Sequence, residues 1–247
     1  MRPLLHIYTT TWNNPEVMTN FITWYRNRIP DCLITVYDNM SSDLTPEICL
    51  EMNCEVRSFN TNGYMDEKSL MDIRELGWLD PTHNSKVVLT CDDDELVDIT
   101  PEILGDDSWN VIHCKGWEIF GKNGDKLKDF THGLESAGYS KKLVWKRDEI
   151  QAMNFGAGSH SANPIPKEGY NIKYYDRQVN CLHTKWAYGW EKGVARQKLI
   201  GPRVSSHSRK LGWNFHFNLP ERLEEGQTGL NHWDYYSQGL ANRIKVR

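Results

Sequence analysis

The chain has 247 residues, 39% of them hydrophobic and 25% charged, and a formal net charge of -4. That balance excludes a wholly disordered chain, the slight acidity excludes a basic nucleic-acid footprint, and no apolar run approaches the roughly 20 residues that cross a bilayer. One large domain, or one domain with an appended tail, fits the length.

In chain order, Leu4 to Thr9 is a short apolar run of strand formers. Asn14-Pro15-Glu16 reads as an N-cap, a proline at the first helical position and an acid in the first turn. Met18, Phe21, Ile22, Tyr25 and Ile29 then follow at helical spacing. Leu33 to Tyr37 is a second strand, stopped by Asp38-Asn39. Thr45-Pro46-Glu47 repeats the cap-proline-acid start. Glu55 to Phe59 alternates as a third strand, Lys68 to Trp78 is helix-like, and Val87 to Thr90 is a continuous apolar run that ends in acids. Strands alternating with helices predict an α/β fold with a mostly parallel sheet flanked by helices. In such sheets ligands bind at the carboxyl ends of the strands, which points to Thr9–Trp12, Asp38–Asp43 and Asp92–Glu95.

The second half changes character. Val111-Ile112 reads as another strand and Asn154 to Pro166 as a Gly/Ser/Asn/Pro-rich loop. Trp186 to Phe217 has no clear period and reads as a helical/loop extension or cover. Residues 218–247 read as a tail, with a terminal helix from Asp234 to Val246. The six cysteines form no CxxC pair and lie in or beside apolar runs, so they read as buried free thiols in a reducing compartment. The 10 tryptophans fit either a core or sugar-stacking platforms.

Four stretches carry chemistry. In Cys91-Asp92-Asp93-Asp94-Glu95, carboxylates crowd the end of a buried strand. Like charges there repel until one protonates or a cation sits among them, and hard divalent cations suit such oxygens. On an extended chain Asp92 and Asp94 share a face; a solvated acidic turn is the alternative. Asp38, at the end of the second strand, is placed to accept from a nucleobase imide or a ribose hydroxyl, or simply to make a turn. His183 is a candidate further ligand for Mn²⁺. Beside it, Lys185, Lys192, Arg196 and Lys198 are candidates to neutralise a diphosphate. His160, in the glycine-rich loop, is a candidate ligand or proton acceptor.

Taken together these residues resemble the GT-A-type nucleotide-sugar glycosyltransferases, in the broad family 2-like group. Thr9-Thr10-Thr11-Trp12-Asn13-Asn14 stands where that family opens its first nucleotide-binding loop. Tyr37-Asp38-Asn39-Met40-Ser41-Ser42-Asp43 matches its second-strand pattern, and Asp92-Asp93-Asp94-Glu95 its Asp-x-Asp element. The resemblance covers roughly residues 4–200. It implies a GT-A (Rossmann-like) domain over 1–217, with a nucleotide-binding half of about 1–100 and an acceptor and metal half of about 101–217. It implies transfer of a sugar from a nucleotide-diphosphate donor, UDP-linked by preference, to a glycan or other hydroxyl acceptor, with inversion and with Mn²⁺ or Mg²⁺.

Residue by residue, it implies that Thr9, Thr11, Asp38, Arg74, Asp92, Asp93, Trp117 and Lys185 bind the nucleotide sugar. Asp92, Asp94 and His183 would hold the metal, and Glu118, His160 and Asp148 are candidate bases. Asp148-Glu149 is only a loose match for the family's late Glu-Asp pair, and the surrounding sequence looks helical and exposed. With no signal peptide or membrane helix, the expected place is the cytoplasm, including its membrane surface where the acceptor is membrane-borne. Two other readings compete. A nucleotidyltransferase that makes nucleotide sugars would release pyrophosphate, but it wants a Gly-rich, basic loop where Thr9–Pro15 stands. A non-catalytic carbohydrate-binding protein would bind no nucleotide.

Overall fold

In the computed structural model, which describes residues 2–122, 124–130, 132–214, 217 and 242–243, the first ninety residues alternate strand and helix as their periodicity predicts. The order is β1 (Leu5–Thr11), α1 (Pro15–Arg28), β2 (Leu33–Asp38), α2 (Thr45–Glu51), β3 (Glu55–Ser58), α3 (Glu67–Leu76) and β4 (Val87–Thr90). β1 pairs in parallel with β2 and β4, and β2 with β3. Central strands covered on both faces read as near-continuous apolar runs, and every residue of β4 is buried.

The helix signals hold with two instructive exceptions. Pro15 opens α1, with Glu16 in the first turn and Arg26 and Arg28 in the last. Asn14, expected as a side-chain cap, makes no capping bond. It donates instead to Asp93 Oδ2 at 2.9 Å, so a helix-start residue serves the site. Thr45 lies inside α2 and Leu44 holds the cap position; the Thr45 hydroxyl accepts from the Asn14 backbone N–H at 2.8 Å.

The remaining strands and helices are β5 (Glu95–Val97), α4 (Pro101–Leu104), β6 (Val111–His113), β7 (Lys115–Phe120), β8 (His132–Glu135), β9 (Lys142–Lys146), β10 (Ile150–Ala152), β11 (Ile165–Pro166), β12 (Asn180–Trp186), α5 (Trp190–Ile200), α6 (Ser206–Lys210) and β13 (Asn242–Arg243). The first sheet runs β3-β2-β1-β4-β9-β6 and the second β13-β8-β7-β12-β5. β9 lies antiparallel to both β4 and β6, so the first sheet is mostly parallel; its edge strand β6 was expected at Val111-Ile112, while the sequence pattern did not separate β9 from loop. The expected terminal helix from Asp234 lies outside the described residues except at Asn242–Arg243, which pair as a strand with β8.

One face of the first sheet, through Leu5, Ile7, Val36 and Leu89, packs on Met18, Phe21 and Ile22 of α1 and on Leu182 of the second sheet. The other face, through Tyr8, Val88 and Trp145, packs on Trp78 and Phe155. Each fully buried apolar side chain contributes about 1.5–3 kcal/mol. Trp24, Trp78, Trp109, Trp145 and Trp186 are buried, so half of the tryptophan count belongs to packing. All six cysteines are free and buried. No helix among the described residues is long and apolar enough to cross a membrane.

Candidate active site

A cavity of about 680 Å³ opens at the carboxyl ends of β1 and β4, roofed by α5 and the segment after it. Asp92, Asp93 and Asp94 line it together with Thr11, Arg74, His160, His183 and Lys185. The acidic stretch is a turn, closed by the Glu95 N–H donating to the Asp92 carbonyl at 3.0 Å. The extended geometry that would set Asp92 and Asp94 on one face is therefore absent, and each carboxylate goes to a different partner.

Asp92 accepts from Arg74 at 2.6 Å. Arg74 also donates to Glu67 at 2.8 Å, and both members of that second pair are buried. Burial would raise the Asp92 pKa, but Arg74 and then Lys141 outweigh it and hold the carboxyl below its ordinary value. Asp93 accepts from the Thr11 hydroxyl at 2.7 Å and from Asn14 at 2.9 Å. Burial, then repulsion from Asp94, pushes it up to about 6. Asp94 Oδ2 lies 3.3 Å from His183 Nε2. The Thr184 N–H and hydroxyl donate to the Asp94 backbone carbonyl at 2.7 and 2.9 Å, which anchors the turn to β12.

The second sheet sets His183. It stands in register with Glu95 of β5 on one side and Glu118 of β7 on the other, so the three side chains form a row across one face. His183 Nδ1 lies 2.6 Å from Glu118 Oε1, and the Tyr139 ring stacks on the imidazole with 3.7 Å between centroids and 13° between planes. A ring fixed at one nitrogen by a buried carboxylate and presenting the other beside an acid is how ligating histidines are commonly oriented. Glu95 itself pairs with Lys141, both side chains being 1% exposed.

The residues present fit a divalent cation. A carboxylate oxygen and an imidazole nitrogen face each other at a cavity wall, with room for diphosphate oxygens and water. The expected third member does not join them: Asp92, Asp94 and His183 do not come within 4.8 Å of one another as a set, because Arg74 draws Asp92 away. Burial disfavours the charged His183 ring, but Glu118 and Asp94 overcome this and raise its pKa to about 10. Since that is above the ordinary value, the proton stays bound from pH 6.5 to 8.5 and must leave when metal enters. Apparent Mn²⁺ affinity should therefore rise about tenfold per pH unit across that range, one proton being released per ion. A Mn²⁺ titration at pH 6.5, 7.5 and 8.5 checks this; equal affinities would remove His183 from the coordination shell.

Several expected residues are not brought to the cavity wall. Thr9 is buried with its hydroxyl unpartnered. Asp38 turns back to accept from the Ser41 N–H at 2.9 Å and the Ser41 hydroxyl at 2.5 Å, the turn reading of that stretch; its neighbour Asn39 lines the cavity instead. The Trp117 indole N–H donates to Asn180 at 3.0 Å. Asp148 lies in the turn between β9 and β10, not on a helix, and pairs with Arg2; it does not line the cavity. Glu118 is occupied by His183.

His160 does line the cavity. Its Nδ1 lies 2.6 Å from the Gly138 carbonyl. A carbonyl only accepts, so Nδ1 carries the proton and Nε2 is left as an acceptor. Gly158, at φ 60°, makes room for the ring, since a Cβ there would sit 2.7 Å from Nε2.

Sequence reading missed Lys141, Tyr139, Glu67 and Arg203. The Glu67–Arg74 spacing of seven places both on one helix face, a signal that was there to use. Arg203 lies 3.2 Å over the Trp12 ring, and no local pattern links residues so far apart.

No protein-family profile matches the chain, and no curated protein matches it. Solved structures do show likeness. The 1–349 form of S. aureus TarS is 14% identical, with 96% of this chain and 78% of that chain covered and a TM-score of 0.44. The mannosyltransferase PcManGT from Pyrobaculum calidifontis, in complex with GDP-Man and Mn²⁺, is 11% identical, with 97% and 80% covered and a TM-score of 0.45. Glucosyl-3-phosphoglycerate synthase from Mycobacterium tuberculosis, in complex with Mn²⁺ and UDP, is 14% identical, with 47% and 44% covered and a TM-score of 0.31. The chain spans 45% of the longer TarS structure. Likeness at this level leaves the functional assignment to the chain's own residues.

Proposed function

We propose that the chain is a metal-dependent glycosyltransferase that moves a sugar from a nucleotide-diphosphate donor, UDP-linked by preference, to a hydroxyl acceptor with inversion. The observation that carries this is the Asp94–His183 pair, 3.3 Å apart at the cavity wall and braced by Glu118. In this reading Asp94 and His183 hold Mn²⁺ or Mg²⁺, and Asp92 stays with Arg74. When bound, the cation supplies Lewis-acid stabilisation of charge on the departing diphosphate. Lys185, on the cavity wall with its ammonium over the Trp186 and Phe217 rings, faces the same oxygens. Thr11, held to Asp93, shapes the nucleotide side, and residues 1–100 contribute most of that half.

Inversion requires a group that takes the acceptor hydroxyl's proton. His160 fills this role better than Glu118 or Asp148, because its Nε2 is free to accept and it lies at the cavity. Partial burial, then Lys141, lowers its pKa, which keeps the ring neutral near pH 7. The expected result is that His160→Ala lowers kcat by about 10²–10⁴ while the donor's KM stays within about twofold. Steady-state kinetics of diphosphate release measures both. An unchanged kcat would remove His160 from the reaction.

A further inference from the structure

At the other end of the first sheet lies a second group of ligand-bearing side chains. His6 of β1, Glu55 of β3 and His83 of the loop before β4 bring one ligand atom each within 4.8 Å of one another. None of them lines the cavity. We propose that these three residues form a second metal site, of the His₂Glu type that takes Zn²⁺ with one position left for water.

The orientation of the rings supports this. The Tyr8 hydroxyl lies 3.1 Å from His6 Nδ1 and 3.0 Å from His83 Nδ1, so one phenol holds the same nitrogen of both imidazoles. It is itself fixed by Arg147, which donates to it at 2.9 Å. His83 Nε2 lies 2.8 Å from Glu55 Oε2. The Thr35 hydroxyl lies 2.8 Å from both His6 Nε2 and Glu55 Oε2, bridging the remaining gap. Tyr8 thus fixes both rings in place, the kind of outer-shell bracing that metal histidines need.

Access and charge are compatible. The His83 side chain is 9% exposed and that of Glu55 42%, so the group is reached from solvent, while His6 is buried. Arg57 is the competitor: its guanidinium lies 3.1 Å from His83 Nε2 and donates to Glu55 Oε1 at 2.7 Å. Its other nitrogen is held by Asp80 at 2.7 Å, which gives the guanidinium a place to stay when the ion displaces it from His83.

The test uses the whole chain carrying Asp94→Ala, so that the cavity site does not contribute. After chelator treatment it is titrated with Co²⁺, followed by visible d–d absorption, and then with Zn²⁺ in competition with a chromophoric chelator. The expected result is one equivalent of either metal with a tetrahedral Co²⁺ spectrum. Adding His83→Ala or Glu55→Gln, the latter nearly isosteric, should weaken binding by about tenfold or more, with thermal melting confirming that each variant is folded. No binding by the Asp94→Ala chain, or binding unchanged in both second variants, overturns the proposal.

Discussion

Asp94→Ala is expected to lower sugar transfer by about 10²–10⁴, since the Lewis-acid contribution of a bound ion is several kcal/mol and each 1.36 kcal/mol is tenfold. The loss should be chemical and not structural. Thr184 anchors the turn through the Asp94 backbone carbonyl, which the substitution leaves in place. Removing the carboxylate also relieves repulsion on Asp93, and His183 keeps Glu118. Melting temperature should therefore stay within a few degrees while release of nucleoside diphosphate collapses. Wild-type turnover in this variant with metal present would sink the site assignment.

The largest stability effect is expected at Lys141. Its ammonium and the Glu95 carboxylate are each 1% exposed and pair beside Asp94 and His183. Burial, against the pull of Lys141, already pushes the Glu95 pKa up. Lys141→Ala strands that carboxylate, and breaking a buried pair from one side costs about 3–5 kcal/mol. For a chain of this size that is a drop on the order of 10 °C in melting temperature. Replacing both partners, as Lys141→Met with Glu95→Leu, should recover most of it, because two apolar groups need no partner. A single variant no less stable than the double would show that the pair does not carry this part of the fold.

The parallel half of the fold was legible because each of its signals is local: Pro15 and Pro46 at helix starts, and apolar runs that fill strands buried on both faces. β9 escaped because its apolar run, Leu143-Val144-Trp145 between Lys142 and Lys146, is only three residues long and its partners lie far away in sequence. The site was legible in its residue types and less so in its geometry. Consecutive carboxylates and a late histidine singled out Asp94 and His183, which the fold brings within 3.3 Å of each other. That Glu118 would brace His183 depends on β12 inserting between β5 and β7, a long-range pairing with no sequence period. Arg74, expected at the nucleotide, does line the cavity, but its pairing with both Asp92 and buried Glu67 has no signature in the acidic stretch itself. Asp38 stands at the right strand end but spends its carboxylate on the turn, and Thr9 falls inside β1, where its side chain is buried.

The most direct test of the central claim is thermal stabilisation of the wild-type chain by uridine diphosphate, with and without Mn²⁺. Ligand at 100 times its dissociation constant adds about 2.7 kcal/mol. Stabilisation that needs Mn²⁺ in the wild type and is lost in His183→Ala is the result predicted. No stabilisation by any nucleoside diphosphate or nucleotide sugar, with metal or without, would leave Asp92–Asp94 an acidic turn with no ligand and contradict the assignment.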